Sequence, residues 1–457
     1  MLRGGRVVGG TGVRRADVRI SGGVIVSVGP DEAVAGDDIT DVSGKFILPG
    51  GVDAHTHFDL PLGDGTRSDD DFASGTRSAI AGGTTCVIDY ATQFRGESLN
   101  RGLDNWHGLA DGRCFCDYSF HLAVTDWNGS VADELPGVMA RGVTSFKMYM
   151  AYKGALQVDD GVLYEALRRL EDLGGLLCVH CENGDIISAL SRELLRAGKT
   201  GPEHHPASRP EELEAEATGR LLVIASLAGA PVYVVHVSSG ASIKKILEAR
   251  SSGQTVFAET CPQYLYLDDS LYSPARADAA KYVCSPPLRD GRNHAEMWSA
   301  LSKNIADVVA TDHCSFNFNG RKDRHNCDFT GIPNGLPGVG SRMMLLYLGV
   351  ARGLITMPQM ARLASENPAR IFGIHPGKGS ITPGADADIV VLDPDGKSVI
   401  TAETQFQNVD YTPYEGWEIP CRIESTYLRG ERVFHMGRFL PGGPRGRFVR
   451  RRAAGVF

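Results

Sequence analysis

The chain has 457 residues, 42% of them hydrophobic and 22% charged, with 55 glycines, 23 prolines and a formal net charge of -8. That length suits two or three ordinary domains or one large barrel, and so acidic a chain is not built to bind polyanions such as nucleic acid. The opening MLRGGRVVGGTG lacks the apolar stretch of a signal peptide, and no run of about 18 apolar residues occurs, so a cytoplasmic protein that does not enter membranes is expected.

Residues 1–51 alternate apolar segments with Gly-rich turns (RVVGG, ADVRISGGVIVSVG, GKFILPG), the pattern of a small antiparallel β unit. From residue 52 eight apolar β-like runs follow: VDAHTHF, TCVIDYA, SFHLAVT, SFKMYM, LLCVHCE, VYVVHVS, TVFAETC and DVVATDH. Helical stretches separate them. DDGVLYEALRRLEDLGG puts Leu163, Leu167, Leu170 and Leu173 on one face, with Asp159 or Asp160 as cap and Gly174 as stop. PEELEAEATGRLLVIASLAG reads as a helix before the sixth run. Apolar strands alternating with helices imply a parallel sheet covered by helices. Eight of them over roughly 300 residues fit a closed (β/α)8 TIM barrel at 52–374, with a doubly wound open sheet as the alternative. From 375 to 440 the early pattern returns, so both chain ends are expected to build one small β-sandwich domain around the inserted barrel. Residues 441–457 form an arm with Arg447, Arg450, Arg451 and Arg452, read as solvated or as an oligomer contact.

Of ten cysteines, Cys178 and Cys181 are the closest thing to a short metal-binding pair, yet CVHC lies in a buried strand. Reduced core thiols are expected. Lys147, in TSFKMYMAYKG, is the anomaly. Alternation along a strand sends Phe146, Met148 and Met150 one way and Ser145, Lys147 and Tyr149 the other. A buried ammonium costs several kcal/mol unless something compensates it.

Other chemistry-bearing residues fall on the same set of strands. His55 and His57 share a face of the first, Lys147 is on the fourth, His180 on the fifth, His236 on the sixth and Asp312 on the eighth. The C-terminal ends of parallel barrel strands open onto one mouth, so these six can converge there. Four imidazoles, a carboxylate and a lysine suit a two-metal site for borderline ions such as zinc. A mononuclear site from His55, His57, one further histidine and Asp312 is the other possibility.

GVDAHTHFD, GGTTCVIDYA, SFKMYMAYKG, VHCEN, HVSS, AETCPQYL, SPPLRD, TDHC, IPNGLPGV and PGADADIVVLDP, in order along the chain, resemble the cyclic amidohydrolases of the dihydropyrimidinase/hydantoinase group. The resemblance implies zinc-dependent opening of 5,6-dihydropyrimidine or 5-substituted hydantoin rings to N-carbamoyl amino acids. Two Zn2+ ions (or other divalent metals) would be bridged by Lys147 carboxylated on its amine, an N6-carboxylysine. A desolvated lysine loses its proton more readily, and the neutral amine captures carbon dioxide. His55, His57 and Asp312 would hold one metal and His180 and His236 the other, with Asp312 moving the proton and Tyr152 stabilising the oxyanion. Ser285 and Asn334 would meet the ring through their backbone, and Leu62, Tyr149 and Leu156 would receive its substituent. All three are apolar or aromatic, and no fixed charge is expected among them. The resemblance also implies a homotetramer or homodimer.

Allantoinase- or dihydroorotase-like ring opening is the alternative. The latter must hold a substrate carboxylate, usually with arginine; no arginine is found in the motifs lining this mouth, and Arg289 is the nearest candidate. A scaffold relative lacking activity is a remoter alternative, since such relatives have lost ligands that are all present here. Gly340 stands where the resemblance implies an acidic residue, which leaves the shape of that loop to be explained.

Overall fold

The computed structural model of the chain describes residues 1–30, 33–34, 36–62, 65–325 and 328–453. Eight parallel strands form one sheet in chain order: β1 (Gly51–Thr56), β2 (Thr84–Gln93), β3 (Asp117–Val124), β4 (Ser145–Tyr149), β5 (Leu176–His180), β6 (Val232–Val234), β7 (Val256–Thr260) and β8 (Val308–Val309). A parallel bridge between Thr56 and His313, just past β8, brings the two edges together and nearly closes the barrel. This is the (β/α)8 arrangement, and the doubly wound alternative falls away.

Alternation along each strand sorts the core into two layers. Phe146, Met148, Met150, Leu177 and Val179 face outward into the layer shared with the helices. Val52, Ala54, Cys86, Ile88, Cys178 and Tyr233 fill the inside. The helix Asp160–Leu173 shows why the pattern folds as it does. Asp159, of the two candidate caps, accepts the Val162 N–H, and Gly174 ends the helix at φ 71. Leu163, Leu167 and Leu170 are buried, each contributing about 1.5–3 kcal/mol of apolar burial; Leu173 is half-buried.

The chain ends share a nine-stranded sheet. Phe46–Pro49 from the N-terminal part pairs antiparallel with Ile389–Asp393 from the C-terminal part, which joins the two. Leu2–Gly9 runs parallel to Phe46–Pro49, an exception to the antiparallel pattern read from the turns. Ile25, Ile47, Ile389 and Val391 form the core of this domain.

The arm departs from expectation. Phe448 bridges to Tyr118 and its ring lies 5.6 Å from that of Phe120. Arg451, read as solvated or intermolecular, is buried in the floor of the barrel. There it donates to Ser119 Oγ at 3.1 Å, Ser145 Oγ at 2.6 Å and the Phe120 carbonyl. The inside of the barrel at that end carries small hydroxyls that need a donor, and the returning chain supplies it. Arg447, Arg450 and Arg452 are exposed, and residues 454–457 of the arm lie outside the described residues.

The nine described cysteines are all buried and unbonded; Cys327 lies outside the described residues. Among the described residues, no helix is long and apolar enough to cross a membrane.

Candidate active site

The C-terminal ends of the barrel strands surround a cavity of about 560 Å³. His55, His57, Lys147, His180, His236 and Asp312 all line it, as do Tyr149, Tyr152, Leu62, Leu156, Ser285 and Asn334. The six metal-ligand candidates and the six residues expected to meet the ring or its substituent therefore reach one space.

His55 Nε2 and His57 Nε2 stand 3.1 and 3.2 Å from the same Asp312 oxygen. Lys147 Nζ is 3.5 Å from His55 Nε2. On the other side, His180 Nδ1 and His236 Nε2 are 2.8 Å apart, and the His236 ring stacks on that of His55 at 5.5 Å. Lys147 and His236 thus both stand beside His55, where the two groups of donors approach each other.

Neighbouring groups hold these side chains in place. Asp89 accepts the Thr56 hydroxyl and the Phe58 N–H, pinning the backbone on both sides of His57. Asp53 accepts from Thr311, and Asp70 pairs with His313 Nε2 at 3.0 Å, pinning both neighbours of Asp312. Asp312, His236 and Tyr152 all have positive φ (52, 39 and 67), a conformation that costs a non-glycine residue about 1–3 kcal/mol and persists only where the surroundings impose it.

Two carboxylates that the sequence reading passed over set the chemistry of the imidazoles. Glu259, on β7, lies 2.6 Å from His55 Nδ1 and accepts the His236 backbone N–H at 3.0 Å and the Tyr233 hydroxyl at 2.8 Å. Glu182 lies 2.8 Å from His180 Nε2 and is clamped by Arg209, whose guanidinium reaches it at 2.6 Å. A carboxylate can only accept, so each puts the ring proton on the rear nitrogen and leaves the front nitrogen with a lone pair. Both glutamates stand in motifs already quoted, VHCEN and AETC. The legible signal was a carboxylate in a buried apolar run.

Protonation follows from burial and charge. Burial pushes His57 down to about 4, against the pull of Asp312, and also lowers His180 and His236. Burial alone would raise Asp312, but His55 and His57 outweigh it and hold the carboxyl well below its usual range. Burial lowers His55 too, yet Asp312 and Glu259 prevail and raise it. Burial also lowers Lys147, with Asp312 and Glu259 opposing. The donor set is therefore three neutral imidazoles, His57, His180 and His236, with an ionised carboxylate, a desolvated amine and His55, whose forward nitrogen would give up its proton to a bound cation. That set fits a pair of borderline divalent cations.

A profile described as the amidohydrolase family matches residues 46–433. The chain belongs to the amidohydrolase family. It is 45% identical over 438 residues to a D-hydantoinase of Streptomyces coelicolor, covering 95% of this chain and 94% of that one. It is 42% identical over 458 residues to a D-hydantoinase of Geobacillus stearothermophilus, covering 100% and 97%. Among solved structures, a dihydropyrimidinase from Brevibacillus agri superposes with a TM-score of 0.97 at 43% identity, covering 100% of this chain and 99% of that one. An L-hydantoinase (dihydropyrimidinase) from Arthrobacter aurescens gives 0.89 at 27% identity, covering 98% and 99%. The resemblance read from the motifs is met by these relatives.

In this amidohydrolase one detail differs from expectation. Arg95, just past β2, is exposed and lines the cavity beside Phe94, so the space is not free of fixed charge. Arg289 is not in the cavity: it is buried against Glu214 at 2.9 Å, Ser238 at 2.8 Å and the Arg209 carbonyl. Gly340 is closely packed: a Cβ there would stand 2.6 Å from Ser78 Oγ and 2.7 Å from Gln405 Oε1, so a side chain would require both to shift.

Proposed function

We propose that this amidohydrolase opens the cyclic amide of 5,6-dihydropyrimidines and 5-substituted hydantoins to give N-carbamoyl amino acids. The observation that carries the reading is the convergence of four imidazoles, Asp312 and Lys147 on one cavity, with two imidazoles fixed from behind by Glu259 and Glu182. The names of the relatives agree with it.

In this reading His55, His57 and Asp312 would hold one divalent ion and His180 and His236 the second, with Lys147, carboxylated on Nζ, as a further ligand. When bound, such ions acidify a water to near pH 7 and polarise a carbonyl; zinc is the expected metal. Lys147 is suited to carboxylation because burial favours its neutral amine, and among the described residues no carboxylate forms an ion pair with it. Asp312, ionised and beside His55 and His57, accepts the proton of the attacking water and returns it to the leaving ring nitrogen. Burial keeps the Tyr152 phenol protonated, so it donates to the developing oxyanion. Ser285 Oγ donates to Asn334 Oδ1 at 2.7 Å, which ties together the two segments whose backbone meets the ring. Leu62, Tyr149 and Leu156 face the ring's substituent.

Dihydroorotate is expected to be a poor substrate. Arg289 is committed to Glu214, and Arg95 stands exposed at the cavity edge, where solvent screens it. A scaffold role is disfavoured because the whole donor set is in place. The test is a rate comparison across dihydrouracil, dihydrothymine, hydantoin, phenylhydantoin, allantoin and dihydroorotate, made on protein of measured metal content. The reading expects the first four to react and dihydroorotate to lag. Metal-loaded protein that turned over only allantoin or dihydroorotate would overturn it.

A further inference from the structure

The segment 281–286 has its carbonyls taken one after another by side chains from elsewhere in the fold. The Tyr411 hydroxyl donates to the Lys281 carbonyl at 2.9 Å and that of Tyr272 to Tyr282 at 3.1 Å. His205 Nε2 reaches the Cys284 carbonyl at 2.8 Å, and the Tyr264 hydroxyl reaches that of Pro286 at 2.8 Å. Among the described residues nothing donates to the carbonyl of Ser285. It is the one carbonyl of this segment left for a ligand.

Lys322 sits beneath that arrangement. It is fully buried, and its ammonium donates to the carbonyls of Val283 at 2.9 Å, Gly335 at 2.7 Å and Lys281 at 3.2 Å. Among the described residues no carboxylate pairs with it. Three N–H donors therefore meet three carbonyl acceptors, which accounts for all of its hydrogens. Val283 lies two residues before Ser285, and Gly335 directly follows Asn334. The Gly335 N–H also donates to the Val283 carbonyl at 3.0 Å, so the two segments touch where Lys322 holds them. Burial pushes Lys322 down to about 7; hydrogen bonds to three carbonyls favour the charged form.

We propose that Lys322 is a positioning residue for substrate: its ammonium clamps the Val283 and Gly335 carbonyls so that the backbones of Ser285 and Asn334 stand at a fixed spacing to receive the ring. This rests on the ring-binding reading given above. Lys322 touches neither the ring nor the reacting atoms. Its contribution is to binding contacts present in both ground and transition states, so its loss belongs in KM rather than kcat.

Lys322→Met keeps an unbranched side chain one atom shorter and removes its donors, whereas Lys322→Gln keeps two N–H donors without charge. Both are compared with the wild type for KM and kcat on hydantoin, for metal content, and for hydrogen exchange of residues 281–286 and 333–336. Expected are faster exchange in both segments, a KM raised ten-fold or more in Lys322→Met and by less in Lys322→Gln, with kcat within about three-fold and metal content unchanged. Should Lys322→Met not fold, the Lys322→Gln comparison alone decides. Wild-type exchange and KM would overturn the clamp, as would a fall in kcat that tracks metal loss. A wild-type protein inactive on every cyclic amide would instead sink the proposed function, and the exchange data would still judge the clamp.

Discussion

Two lysines lie buried at opposite ends of the barrel, and their surroundings drive them in opposite directions. At the floor, Lys378 meets Asp117, Asp388 and Asp386 at 2.5, 2.7 and 2.8 Å. Burial works against its charge, but Asp388 and Asp117 more than offset it and hold the ammonium well above its usual range. At the mouth, Lys147 has His55 Nε2 at 3.5 Å and the rings of Tyr90 and Tyr149 at 4.4 and 5.2 Å, and burial brings it down. Both ends also gather groups that could hold a cation: Asp117, Asp386 and Asp388 at the floor, His55, His57 and Asp312 at the mouth. At the floor that cation is already present, as Lys378. At the mouth the donors line the cavity, and His55 is tied from behind by Glu259. A saturated cluster supports the fold, and an unsaturated one can do chemistry.

Removing each lysine separates the two roles. Lys147→Ala is expected to lose bound metal and turnover together, and added propionate to restore part of both by filling the bridge; full metal content and rate in the variant would refute the assignment. Asp312→Asn removes the proton carrier but leaves an oxygen donor. It should keep at least part of the metal while kcat falls by roughly 10²–10⁴-fold, measured at neutral pH on metal-analysed protein.

Lys378→Met breaks the other end. Carboxylates left buried without their cation should cost about 3–5 kcal/mol in denaturant unfolding, while kcat/KM of the folded enzyme stays at the wild-type value. If activity drops without loss of stability, floor and mouth are coupled and the two lysines do not have separate roles. Glu259→Gln is a subtler change at the mouth. Losing the obligate acceptor behind His55 should weaken metal binding by roughly 10–100-fold, read by competition with a chelator, and leave unfolding of the metal-free protein little changed.

The smallest effects concern the substituent. Tyr149→Ala and Leu156→Ala should each lower kcat/KM for phenylhydantoin by about 1–3 kcal/mol more than for unsubstituted hydantoin. Equal losses on both substrates would make these residues part of the barrel wall.

The eight strands, the helix Asp160–Leu173 and the six converging donors were legible in the sequence because each rests on a short-range rule. Side chains alternate along a strand, leucines repeat on a helix face, and parallel strands in a barrel share one open end. The motif resemblance added roles for Lys147, Tyr152, Ser285 and Asn334. The placement of the Lys322 clamp, the burial of Arg451 and the position of Arg95 were not legible. Neither was the pairing of His55 with Glu259, 204 residues apart in the chain. Gly340 could be read as a departure, but its close packing could not be read, because the atoms that crowd the position come from Ser78 and Gln405. The sequence by itself determined which residue types lie on which strand and which face each takes, since those follow from local backbone geometry. Only the tertiary structure decided which lysine meets carboxylates and which meets open donors, because that depends on chain segments brought together when the barrel closes and the two chain ends join beneath it.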